Sequence, residues 1–169
     1  MDMQQAINFL KQNQPMPNDE SAEGFLLDTY KEVMDYLLIN YNEECVPLFL
    51  NSFGDFDGLG VYQLVGDVIT KYPSDIVVPY LMDAIINGAD PAKSWCAEIA
   101  YYFPDDRLID CLGTLARHEN FDIRWPAIFA LTRIKSMRIV ELFKELLLTE
   151  NDKMAIEEMK EYIVQTEPQ

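Results

Sequence analysis

The chain is short of the residues from which active centres are commonly built: its 169 positions hold one histidine, His118, and three cysteines, Cys45, Cys96 and Cys111. A serine or cysteine nucleophile needs a base within hydrogen-bond reach, and no Ser-His-Asp order is legible around His118. A Cys-His pair would require Cys96 or Cys111 to face a cleft, whereas both lie in apolar, helix-like segments. The other reading of His118 is a cation at a helix C-terminus, where the dipole favours it. An odd cysteine count without CxxC spacing implies reduced core thiols rather than a disulfide framework, and the expected compartment is the cytoplasm. Met1-Asp2-Met3-Gln4-Gln5 shows no basic region leading into an apolar stretch, so no secretory signal is expected. No run approaches the roughly 18 apolar residues of a spanning helix.

Positive charge is scarce as well, with 13 Lys+Arg against 29 Asp+Glu, a net charge of −16 and a pI near 4.2. Affinity for nucleic acid comes largely from basic side chains displacing counterions, and anionic membranes repel such a chain. Nucleic acid and membrane are therefore excluded as expected partners, and a basic protein is favoured. Metal and cofactor motifs are missing too. Asp55-Phe56-Asp57-Gly58 opens like a calcium loop, yet the twelfth position, where a bidentate glutamate belongs, is Gly66. Gly54, Gly58 and Gly60 lack a following GK[ST] and read as a turn. Of neighbouring acids such as Asp105-Asp106, Glu43-Glu44 and Glu157-Glu158, most read as helix-start residues.

What the chain does have is apolar content, 49% hydrophobic with 9 Tyr, 9 Phe and 2 Trp, too much for a disordered acidic tail. One domain over 1–169 is expected, and its apolar residues recur at helical spacing almost throughout. Residues 1–13 read as a short helix through Ile7, Phe9 and Leu10, stopped by Gln14-Pro15-Met16-Pro17-Asn18. Phe25, Tyr30, Val33, Met34, Leu37 and Leu38 make the stripe of a helix from about Gly24 to Asn40. Further helices are expected near 44–53, 58–72, 75–87, 91–103, 105–118, 122–135, 137–148 and 152–164.

A shift of 31 residues lays Tyr72-Pro73-Ser74-Asp75 on Phe103-Pro104-Asp105-Asp106, and Val77, Val78 and Leu81 on Leu108, Ile109 and Leu112. The same shift carries Ile109, Leu112 and Leu115 to Val140, Phe143 and Leu146, and Gly66 to Ala97. A period near thirty fits one helical hairpin per unit, each relying on its neighbour for a partner surface. Asp122-Ile123-Arg124-Trp125-Pro126-Ala127-Ile128-Phe129-Ala130-Leu131 resembles the second helix of HEAT-like repeats, in the short form known from phycobilisome-lyase proteins. In it Asp122 is the expected cap, and Ala127 and Ala130 permit close packing. Asp90-Pro91-Ala92-Lys93-Ser94-Trp95-Cys96-Ala97 repeats the scheme, with Lys93 and Ser94 departing from it. The resemblance implies an all-α fold: a short right-handed α-α superhelix, a HEAT-like solenoid of about four hairpins over 44–164 behind a divergent N-terminal cap, 1–43.

Charge and aromatic placement suggest where such a stack would act. Residues 1–100 hold 16 acids against 4 bases, and 101–169 hold 13 against 9. With Ala127, Ala130, Leu131 and Ile134 toward the core, Trp125, Phe129 and Thr132 point outward; the matching positions one unit earlier are Trp95, Glu98 or Ile99, and Tyr102. Second helices line the concave face in stacks of this kind, as the resemblance implies. The expected partner-binding residues are Asp55, Asp57, Tyr62, Asp67, Trp95, Glu98, Tyr102, Trp125 and Phe129, the competing role for both tryptophans being to fill gaps between repeats. Small acidic proteins of this size look like immunity partners of bacterial polymorphic toxins. The leading expectation is a non-enzymatic cytoplasmic inhibitor of a basic toxin, such as a nuclease. A general scaffold or adaptor uses the same physics, and a bilin-lyase-like enzyme is the third class; a HEAT-like DNA glycosylase would need a basic groove.

Overall fold

A computed structural model of the chain describes residues 1–16, 24–58 and 60–167. Among these residues the fold is all-α, with α1 (Met3–Gln12), α2 (Gly24–Ile39), α3 (Cys45–Leu50), α4 (Gln63–Ile69), α5 (Ser74–Asn87), α6 (Asp90–Ala100), α7 (Ile109–Leu115), α8 (Phe121–Leu131), α9 (Met137–Leu146) and α10 (Lys153–Thr166). A 3₁₀ turn, Asp106–Leu108, leads into α7. None of these helices is long and apolar enough to cross a membrane.

Local chemistry explains where the elements start and stop. α4 begins at Gln63 rather than at 58, because Phe56, Gly58 and Gly60 hold φ of +67°, +59° and +85°, left-handed backbone that an α-helix does not continue. A Cβ at Gly58 would also stand 2.8 Å from the Tyr62 ring, so the tight turn needs glycine twice over. α8 is capped by Asn120, whose side chain accepts from the Asp122 N–H at 3.0 Å; Asp122 itself lies in the first turn, not at the cap. In α2 the buried stripe is Leu27, Tyr30, Val33, Met34 and Leu37, while Phe25 and Leu38 are exposed. At 100° per residue Phe25 points well away from Tyr30, which the composition of the segment hides. Glu157 and Glu158 lie in the body of α10, not at its start. Pro17 and Asn18 of the expected loop fall outside the described residues.

Packing runs along the chain. α5 packs on α6, α7 on α8 and α9 on α10, while α5 also meets α7, and α8 meets both α6 and α10. The starts of α6, α8 and α10 fall at 90, 121 and 153. At the N-terminal end α1 packs on α2 and α3, α2 on α4, and α3 on α5 and α6. One apolar core extends from Ala6 to Tyr162.

Polar side chains lock the helices in register. Pro126 has no N–H with which to reach the carbonyl of Asp122, so that oxygen would lack its helical partner; the Ser94 hydroxyl donates to it instead, at 2.7 Å across from α6. Arg124 donates to both carboxylate oxygens of Glu150, at 2.8 and 3.0 Å, and to the carbonyls of His118 and Glu119. Glu150 in turn accepts from the N–H groups of Asn151 and Asp152. One guanidinium thus ties the turn before α8 to the turn before α10. Tyrosines make similar ties: Tyr162 donates to the Ile134 carbonyl at 2.7 Å and accepts from the Ser136 N–H, and Tyr72 does the same with the carbonyl and N–H of Asn42.

Two stability measurements follow from these ties. Ser94→Ala is expected to cost about 1 kcal/mol in urea unfolding, and less in a Pro126→Ala background, where the N–H of residue 126 can bond Asp122 again. The Arg124 hydrogen bonds, opposed by desolvation, hold the Glu150 carboxyl down from 4.5 to about 2. Its stabilisation is therefore complete above the unfolded value and lost as pH falls from 4.5 toward 2. Glu150→Gln is expected to lose about 3 kcal/mol at neutral pH and to flatten the stability profile across that acid range.

Candidate functional site

Three cavities lie along α4, α6, α8 and α10, and Trp95 of α6 stands between two of them. Its indole stacks on buried Phe53 with centroids 5.5 Å apart and meets Tyr62 edge-on at 5.9 Å. Its Nε1–H donates to the Phe56 carbonyl at 3.2 Å, which fastens the left-handed turn to α6. Trp95 is half-buried, packed against the core on one side and lining a cavity on each of two others. It fills space against the core and also remains open to both cavities.

The first cavity, of about 500 Å³, lies between α4 and α6. Gln63, Gly66, Asp67 and Thr70 form one wall, and Trp95, Glu98, Ile99 and Tyr102 the other, with Tyr62 at its edge. Glu98 keeps an open side toward solvent, yet desolvation by the surrounding walls raises its carboxyl above the ordinary value. The second cavity, about 330 Å³, opens on the other side of Trp95, where Asp55, Asp90 and Asp122 converge with Phe56 and Ser94. Neither lining contains a lysine or an arginine.

An aromatic run continues along α8. Phe121, Trp125 and Phe129 recur every fourth residue and so share a face, stacked at 6.1 and 5.7 Å, and Tyr101 lies parallel on Phe129 at 4.8 Å. Arg124 covers the Phe121 ring at 5.1 Å and Arg133 covers Tyr101 at 4.7 Å, both within cation–π range. Beyond Phe129 the third cavity, about 340 Å³, meets α10 through Glu158, Glu161 and Gln165. Glu158 is raised by desolvation and then by the charge of Glu161. Phe129 is 37% exposed and Tyr102 62%.

Arg133 lines the third cavity and Lys93 pairs with Asp90 at the second, while several other cations pair away from these linings. Arg117 pairs with Glu145, Arg138 with Asp110, Arg107 with Asp105, and Lys144 with Glu141 and Glu167. Among the described residues Asp55, Asp57, Asp67, Glu98, Glu158 and Glu161 make no ion pair. Asp67 and Glu98 of the first cavity and Asp55 of the second are therefore left without a paired cation.

Of the residues expected from the sequence, the first cavity gathers Tyr62, Asp67, Trp95, Glu98 and Tyr102, the second holds Asp55, and the third holds Phe129. Trp125 is half-buried within the aromatic run, and Asp57 is exposed on the turn outside all three linings. Tyr62 differs in kind: it is 1% exposed, and its hydroxyl accepts from the Gly54 N–H at 3.1 Å, so it mainly shapes the turn. Sequence reasoning missed Phe121 and Tyr101, although the four-residue spacing of Phe121 from Trp125 signals the former. It also missed Glu158 and Glu161, which only the fold brings near Phe129. Gly66 was matched with Ala97; the structure buries Ala97 in the core and turns Gly66 toward the first cavity, where a Cβ would meet nothing within 4 Å.

The cysteines are withdrawn from these cavities. Cys45, Cys96 and Cys111 are buried and unpaired, and burial pushes the Cys45 and Cys111 thiols up to about 11 and Cys96 higher still. His118 follows α7, where its Nδ1 accepts from the Asn120 N–H at 3.1 Å. Among the described residues no group of His, Cys, Asp and Glu is arranged to hold a metal ion. No known family model and no curated protein matches the chain.

Gly66 lies inside α4 with open space beside it, so its intrinsic helix penalty is unrelieved. Gly66→Ala is expected to stabilise the fold by about 0.5–1 kcal/mol, read as a rise in the thermal midpoint.

Proposed function

We propose that the chain is a protein-binding module of the HEAT-like repeat type whose cavity-bearing face engages a basic protein, and that it acts in the cytoplasm as an immunity protein neutralising a basic toxin, a nuclease foremost. The observation that carries this reading is the coincidence, around the first two cavities, of accessible aromatic rings and carboxylates such as Asp55, Asp67 and Glu98 that make no ion pair, in linings without lysine or arginine. Interfaces draw much of their energy from a few aromatic anchors in desolvated surroundings, with complementary charge setting register and partner choice. Pairwise packing of α5–α6, α7–α8 and α9–α10, with second helices starting at 90, 121 and 153, supports the repeat assignment.

In this reading Trp95, Tyr102, Trp125 and Phe129 supply the anchors. Asp55, Asp57, Asp67 and Glu98 take the lysines and arginines with which a nuclease grips its substrate. Inhibition then requires no chemistry from the inhibitor: nucleic acid and inhibitor compete for the same cations.

Co-expression with the nuclease domain of a secreted toxin encoded beside this chain is expected to yield a co-purifying complex without nuclease activity. Reversing Asp57 and Asp67 to lysine is expected to weaken it at least about a hundredfold by calorimetry and to restore cleavage. Equal affinity in the reversed variant would refute the electrostatic mechanism.

A further inference from the structure

We infer that the cavity between α4 and α6 is a receptor for a single arginine side chain of the partner protein, its guanidinium held between the Trp95 and Tyr102 rings and the carboxylates of Asp67 and Glu98. This deepens the protein-binding reading of the groove face and rests on it.

The first support is internal precedent. Elsewhere in the fold the chain lays its own Arg124 over the Phe121 ring while two of its nitrogens bond Glu150, and it lays Arg133 over Tyr101. Ring plus carboxylate is thus how the fold already accommodates the Arg124 guanidinium. The first cavity presents the same two elements, rings and carboxylates, with no basic side chain in its lining. A planar, weakly hydrated guanidinium suits such a place better than a compact ammonium, because it stacks on rings and forks toward carboxylates at once.

Gly66 is the second and independent support. Nothing in the fold asks for glycine there: the residue is helical, its backbone is not left-handed, and an added Cβ would touch no neighbour. A glycine within a helix weakens it. Its effect at this position is to keep the wall of the cavity clear, which matters to an occupant and not to the packing. The walls also desolvate Glu98, and that penalty falls when a cation arrives.

The test is a titration of the isotopically labelled full chain with N-acetyl-arginine amide, followed by backbone and indole N–H chemical shifts. N-acetyl-citrulline amide, equal in shape but neutral, and N-acetyl-lysine amide are run beside it. Arginine is expected to produce saturable shifts at the Gly66 N–H and the Trp95 indole N–H, with citrulline and lysine at least about tenfold weaker. Gly66→Met, which fills the cavity, is expected to abolish saturation without lowering the thermal midpoint, and Glu98→Gln to weaken binding should the methionine variant fold poorly. Shifts scattered over surface carboxylates without saturation, equal response to citrulline or lysine, or full binding by Gly66→Met would overturn the assignment. The broader reading fails separately. A basic nuclease domain bound equally by Gly66→Met but lost on reversal of Asp57 and Asp67 removes the arginine receptor and leaves the groove, whereas a domain bound by no form of the chain removes both.

Discussion

The groove depends on how closely α6 and α8 approach. Both helices turn alanines inward, Ala92, Ala97 and Ala100 on one and Ala127 and Ala130 on the other, and small inward residues leave the larger rings of each helix nowhere to go but outward. Ser94 then fixes the axial register by taking the carbonyl that Pro126 leaves without a partner. Trp95 is the next residue in the chain, so the bond that sets the register also sets where the indole stands between two cavities. A proline that would normally weaken a helix has here become the point where two helices are joined.

Charge is allocated with a similar economy. The exposed pairs Arg117–Glu145 and Arg138–Asp110 join residues 28 positions apart around α7 and α9. Exposed pairs of this kind contribute little stability. Their larger effect is that these cations are held away from the acids that α4, α6 and the turn before α4 present. Among the described residues only Arg124–Glu150 is both well shielded and bidentate, and it holds turns together. Repulsion among the unpaired carboxylates is destabilising, and under the proposed function a cationic partner would relieve it.

Much of the helix content was legible because apolar spacing and punctuating Pro, Gly and Asn residues act locally. The Gly88-Ala89-Asp90-Pro91 break ends α5 and opens α6 where the pattern predicts. Boundaries failed where backbone conformation, not hydrophobicity, decides them: the left-handed Phe56, a residue that rarely adopts positive φ, delays α4 by several residues. Asn120 displaced Asp122 as the cap since capping depends on which side chain reaches back, which spacing alone does not reveal. Trp95, Glu98, Tyr102 and Phe129 could be placed on an outward face from helical periodicity. Glu158 and Glu161 could not, because their nearness to Phe129 arises from α10 packing on α8. Gly66 was misleading for a related reason: glycine and alanine look equivalent as small residues in a sequence, and only the surrounding space separates a packing contact from a vacancy.

The tyrosine hydroxyls bear on how the molecule comes apart. A row of short helices that touch mainly their neighbours invites fraying from whichever end is least held. Tyr162, in the final helix, bonds backbone on both sides of the bend between α8 and α9, so detaching α10 strips that bend of its hydrogen bonds and exposes Phe143, on which the Tyr162 ring rests edge-on. Tyr72 ties the bend before α3 to the end of α4 in the same way. The last helix is thereby stitched to the bend between α8 and α9, and the bend before α3 to the end of α4, so neither tie can open without disturbing a neighbouring helix.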